Sequence, residues 1–137
     1  MSVRNTLPPS QIKLETVDTE LSVCQVDDLR EIDTNAPFVF TACTDKEKSV
    51  VCPTGAVPAR ATARDDGWRA FRISGQLDFS LIGILAGITD VLARNGIGIF
   101  AVSTFDTDYI LVRRDRYEEA LSALRDSGYT VADGQSR

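Results

Sequence analysis

Apolar and polar positions follow two periods along this chain, and the second half shows them most clearly. Trp68 to Ile73 combines aromatic and β-branched residues in the manner of a strand. Ser74-Gly75-Gln76 is a turn, and Asp78 is placed to cap a helix running to about Asn95. Leu81, Ile84, Leu85, Ile88, Val91 and Leu92 recur there at helical spacing, so one face of that helix is buried. Gly96 stands where a helix-ending left-handed residue is wanted. Ile97 to Thr104 is nearly all apolar, a strand suited to the middle of a sheet. Phe105 to Asp108 forms a turn, and Tyr109 to Val112 is the returning strand. Asp115 opens a second helix, with Glu118 three residues on as a capping box. Tyr117, Ala120, Leu121 and Leu124 line its inner face, Gly128 ends it, and Tyr129 to Val131 is a short last strand. The order β-α-β-β-α-β is that of a ferredoxin-like split unit.

The first half reads as a reduced copy. A shift of sixty positions lays Phe38–Cys52 over Gly98–Val112 without a gap, with Phe40 on Phe100 and Thr44 on Thr104. Leu21 to Cys24 resembles Trp68 to Phe71 at a shift of about forty-seven, so the connection after this first strand is shorter. Asp27 to Ile32 leaves room for one or two helical turns. Two hairpins of similar composition could also match by chance, which is the alternative to a true repeat. The predicted architecture is α+β, a tandem of ferredoxin-like (βαββαβ) modules with the first one reduced, folding as one body. Residues 1–10 form a loose N-terminus, 11–59 the degenerate module, 60–67 a linker, 68–131 the complete module and 132–137 a loose C-terminus.

Composition removes several classes of function. The 137 residues include no His, which excludes a Ser-His-Asp triad, a Cys-His pair and His-ligated metals. Fifteen Lys plus Arg against twenty Asp plus Glu give a net charge of −5, against binding of a phosphate backbone. No apolar run approaches the ~20 residues needed to span a bilayer. The start of the chain has no apolar stretch of the secretory type, so a cytoplasmic location is expected. Cys24, Cys43 and Cys52 lack paired spacing and read as small apolar core residues in a reducing compartment.

Two segments carry possible chemistry. The polar tip Ser103-Thr104-Phe105-Asp106-Thr107-Asp108 follows a strongly apolar strand and can offer hydroxyls and carboxylates to a ligand; ordinary turn chemistry accounts for the same residues. Gly75 to Gly83 leads into the first helix, whose free N–H groups favour an anion such as a carboxylate; a capped helix start is the plainer reading. Neither GxGxxG nor GxxxxGK[ST] occurs. The adjacent carboxylates Asp27/Asp28, Asp65/Asp66 and Glu118/Glu119 diverge in regular structure and read as solvated faces, and Trp68 reads as a core anchor.

The strings Trp68 to Ile73, Leu77 to Ala86 and Leu92 to Val112 resemble the ACT domain. Over residues 10–131 the chain is most similar to the tandem-ACT group of small bacterial proteins related to the CASTOR arginine sensors of animals. The resemblance implies an amino-acid sensor with its ligand at an interface between modules or subunits. It implies contacts from Ser49 and Val50 on the returning strand of the first copy, and from Gly83 and Ile84 at the start of the long helix. It further implies Thr104 and Phe105 lining the pocket and Asp108 holding a cationic group. Where the arginine sensors carry an acidic residue two positions before that glycine, Leu81 stands here, and the loop from Ser74 to Leu77 is shorter. A guanidinium would therefore lose a partner.

The expectation is a non-enzymatic regulatory protein that binds a small molecule, most simply an amino acid, with no cofactor. A homodimer is expected, together with a protein partner that receives the signal, and neither nucleic acid nor membrane. The alternative is a ligand-free structural or adaptor ACT module that mediates protein–protein association.

Overall fold

Two long strands, Lys13–Gln25 (β1) and Ala63–Ile73 (β4), organise the chain, as seen in a computed structural model that describes residues 7–75 and 82–134. The other described elements are strands Phe40–Cys43 (β2), Lys48–Pro53 (β3), Phe100–Ser103 (β5), Asp108–Arg113 (β6) and Thr130–Ala132 (β7), with helices Ile84–Arg94 (α1) and Tyr117–Asp126 (α2). Mixed helices and antiparallel strands make the class α+β. The chain divides into two compact units, one made of residues up to Asp18 and from Arg69 onward, the other of Thr19–Trp68. Both β1 and β4 pass from one unit into the other along the chain.

In the first unit the strand order is β7-β1-β4-β6-β5. The path β4-α1-β5-β6-α2-β7 follows the expected split unit, but the first half of β1 stands between β7 and β4. β7 pairs with β1 in parallel, with Lys13 opposite Thr130 and Leu14 opposite Val131. The strand read from the sequence at Leu21 to Cys24 begins earlier, at Lys13, where Leu14 and Val17 supply buried positions and Arg72 Nε binds Glu15 at 3.1 Å. β5 is also displaced from its expected place: it ends the strand order instead of sitting in the middle, and its Ala101 and Ser103 are exposed.

The helices pack by the periodicity read from the sequence. Ile84, Ile88, Val91 and Leu92 of α1 and Tyr117, Ala120, Leu121 and Leu124 of α2 join Leu14, Phe71, Ile73, Ile110 and Val112 in one buried cluster. Each large aliphatic or aromatic side chain there contributes roughly 1.5–3 kcal/mol. Both helices end alike. Gly96 and Gly128 take φ of +71° and +104°, and the next residues, Ile97 and Tyr129, bond back to Leu92 O (2.9 Å) and Leu124 O (3.1 Å). Both of those residues are buried, completing the Schellman arrangement. The capping box expected at Asp115 and Glu118 does not form: Arg114–Arg116 make a 3-10 turn, and Arg116 pairs with Glu119 instead. The cap expected at Asp78 lies outside the described residues.

In the second unit the order is β2-β3-β1-β4. Cys24, Val26, Ile32, Val50 and Cys52 form its core, backed by Leu29, Val39, Val57 and Ala61. The room left after Asp27 holds a 3-10 turn, Leu29–Glu31. β4 begins at Ala63, inside the stretch 60–67 expected as linker, and Thr62 N binds Gln25 O at 2.9 Å just ahead of it. Ser22 is fully buried yet satisfied, donating to Asp66 Oδ1 (2.6 Å) and sharing a hydrogen bond with Thr54 Oγ1 (2.9 Å). That bond and Arg64 hold the Asp66 carboxyl below its ordinary range. Cys24 and Cys52 are core residues as expected, with burial pushing the Cys52 thiol up to about 11, whereas Cys43 is exposed on β2.

The offset of sixty survives in the backbone. β2 pairs Phe40 with Val51 and Cys43 with Lys48; β5 pairs Phe100 with Leu111 and Ser103 with Asp108. Thr44 N bonds Glu47 O at 2.9 Å, as Thr104 N bonds Thr107 O at 2.8 Å. Even the 3-10 turns after the returning strands, Thr54–Ala56 and Arg114–Arg116, keep the offset.

Candidate functional site

The tip of the β5–β6 hairpin is a closed ring of hydrogen bonds. Thr104 N and Thr104 Oγ1 both donate to Thr107 O, at 2.8 and 3.0 Å, and Thr107 N returns a bond to Thr104 Oγ1 at 3.2 Å. This leaves Phe105 pushed outward, 73% exposed. Across the base of the tip Ser103 Oγ donates to Asp108 Oδ1 at 2.6 Å. Asp108 is half-buried, and among the described residues it has no ion-pair partner. Thr107 is the buried member, and its hydroxyl donates to Ile73 O at the end of β4 (2.8 Å).

Helix α1 begins at Ile84 with Gly83 as its cap, at φ +81°, a conformation that glycine takes without a Cβ penalty. Among the described residues no side chain caps this end, and no acidic residue occupies its first turn. As at any helix start, the first N–H groups have no acceptor within the helix, and the macrodipole favours an anion there. Ile82, just before the cap, is 67% exposed.

The expected site residues divide between the units. Gly83, Ile84, Thr104, Phe105 and Asp108 belong to the first; Ser49 and Val50 belong to β3 in the second. The hairpin brings Thr104, Phe105 and Asp108 together on one short stretch. Ile84 and Val50 are 5% and 0% exposed and committed to their cores. Ser49 lies opposite Ala42 and Gln25, half-buried, and alternation sends its side chain to the other face from Val50. Leu81 and the loop from Gln76 lie outside the described residues.

Sequence reasoning singled out neither Ser103 nor Thr107 within the tip. Arg72 was also missed: it binds Glu15, reaches Tyr109 Oη at 3.1 Å, and lies 5.8 Å from the centre of the Tyr109 ring. Among the described residues no three His, Cys, Asp or Glu side chains gather as a metal site, and no described helix is long and apolar enough to cross a membrane.

Comparison with known proteins sets this geometry in a family. The family description "ACT domain" matches residues 63–126. The crystal structure of protein Atu0741 from Agobacterium tumefaciens is similar over 98% of this chain and 96% of its own, at 30% identity and a TM-score of 0.80. The ligand-free regulatory subunit of aspartate kinase from Thermus thermophilus shares the fold at 11% identity and a TM-score of 0.58, over 87% of this chain and 98% of its own. The aspartate kinase of Clostridium acetobutylicum shares it at 10% identity and 0.62, over 93% of this chain but 36% of the kinase. No curated protein sequence matches the chain. With the Agobacterium protein as a relative along its whole length and the ACT match across β4 to α2, this chain belongs to the ACT-domain proteins.

Proposed function

We propose that this protein is a non-catalytic regulator that binds a free amino acid, with the start of α1 and the β5–β6 tip supplying the contacts of the first unit. The observation that carries the reading is the Asp108 carboxylate, held by one hydroxyl and by no cationic side chain among the described residues. It suits an ammonium or a cationic side chain. The N–H groups at Gly83 and Ile84 suit the α-carboxylate. Thr104 and Phe105 complete this set, and Ser49 and Val50 of β3 are proposed as further ligand contacts. Kinship with the arginine sensors, two tandem modules, a homodimer, a cytoplasmic setting and a protein partner belong to the same proposal. The repeated hairpin geometry at an offset of sixty supports the tandem part of it.

The ACT match and the likeness to a kinase regulatory subunit support a regulatory role over a catalytic one. A second reading, a ligand-free adaptor, draws on the exposure of Phe105 and Ile82, two large apolar side chains suited to a protein contact. A thermal-melt screen against every proteinogenic amino acid at millimolar concentration separates the two. Binding at ~100 times the dissociation constant stabilises by about 2.7 kcal/mol and moves the melt by several degrees. A selective shift that Ser49→Trp abolishes supports the sensor; a flat screen supports the adaptor.

A further inference from the structure

We infer that Thr107 is a positioning residue that locks the β5–β6 tip to the end of β4, and that ligand affinity depends on this lock. The inference deepens the amino-acid reading of the same site and rests on it. Its basis is a single peptide plane. The Ile73–Ser74 peptide is gripped at both polar atoms: its carbonyl accepts the Thr107 hydroxyl at 2.8 Å, and its N–H donates to Lys13 O at 2.8 Å. One grip comes from β1, the other from the hairpin that carries Thr104 and Asp108. Thr107 is 8% exposed, so water does not readily replace its hydroxyl. The same residue closes the tip through Thr104, and Asp108 follows it directly in the chain. The tip and the end of β4 are therefore one mechanical piece.

The corresponding turn of the second unit is tied differently. At the offset of sixty Thr107 becomes Glu47, whose carboxylate accepts from the exposed side chain of Gln25 at 2.8 Å. That bond lies in solvent and joins two flexible side chains, whereas the Thr107 bond is buried and holds backbone. The asymmetry singles out the tip with Asp108 as the one that is rigidly placed.

The test uses the full chain with Thr107→Val, which removes the hydroxyl at nearly constant volume, and Thr107→Ser, which keeps it. The first readout needs no ligand: exchange of the Ser74 amide, compared with the Ile88 amide in the core of α1. Thr107→Val is expected to speed Ser74 exchange about tenfold while Ile88 stays protected, and Thr107→Ser to behave as wild type. The second readout is the melt shift given by each proteinogenic amino acid at millimolar concentration. Any shift seen in wild type is expected to survive in Thr107→Ser and to collapse in Thr107→Val. Unchanged Ser74 exchange in Thr107→Val, a Ser variant that behaves like the Val variant, or an undiminished melt shift overturns the inference. If wild type responds to no amino acid while Ser74 exchange follows the expected pattern, the lock stands and the amino-acid reading falls.

Discussion

Ser103 donates its hydroxyl proton to Asp108 across the first residue pair of the β5–β6 hairpin, at 2.6 Å. This bond orients the carboxylate and leaves it without a counter-charge among the described residues. Asp108→Ala is therefore expected to cost little stability, within about 1 kcal/mol, because the bond it removes is exposed. The same variant is expected to lose all stabilisation by the ligand. Paired melts with and without the amino acid that stabilises wild type check this. Ser103→Ala, which frees the carboxylate without removing it, should weaken that stabilisation and not abolish it.

Tyr117 carries a second buried bond, from its hydroxyl to Ala70 O at 2.6 Å, beneath the Arg69 guanidinium 4.3 Å from the ring centre. Tyr117→Phe keeps the ring and removes this bond. The expected cost is about 0.5–1.5 kcal/mol, read as a lower urea midpoint at unchanged slope.

Alkaline stability follows from the same burial. Cys52 and Tyr117 are pushed up to about 11 and about 12 from ordinary values of 9.0 and 10.0. Between the unfolded and folded values the folded chain holds more protons than the unfolded one, so stability falls as pH rises. The contribution is whole below about pH 9 and is lost in turn through about 11 for Cys52 and about 12 for Tyr117. Urea midpoints measured across this window should drop, and Cys52→Ala and Tyr117→Phe should each flatten part of the drop.

Helix α1 has a glycine with a reason. A Cβ on Gly87 would stand 3.0 Å from Tyr129 Oη, against a tyrosine that is itself 6% exposed. Gly87→Ala should lower the melting temperature even though alanine favours a helix by ~1 kcal/mol over glycine. Adding Tyr129→Phe should recover most of the loss. A double-mutant cycle measures the coupling.

Much of this fold was legible because burial imposes a period. Ile84, Ile88, Val91 and Leu92, the glycines at 96 and 128, and the Phe40–Phe100 offset each carry a local signal that the backbone keeps. The first half of β1 carries none. Its Glu15 is balanced by Arg72, a residue fifty-seven positions away, so its charge pattern makes sense only once β1 lies beside β4. β5 misled for the opposite reason: an apolar run predicts depth in a sheet, yet the strand is four residues long and ends the order. In the site, Asp108 was visible as a polar residue after an apolar strand. Thr107 was not, because a threonine in a turn reads as solvated until its depth and its bond to Ile73 are seen.

The central claim, that an amino acid is held by the β5–β6 tip and the start of α1, is tested most directly by amide NMR of the full chain titrated with the proteinogenic amino acids. The account predicts saturable shifts concentrated at Gly83–Leu85 and Thr104–Asp108 for a selective ligand, and their loss in Asp108→Ala. Spectra unchanged by every amino acid at millimolar concentration, or shifts gathered elsewhere in the chain, would contradict it.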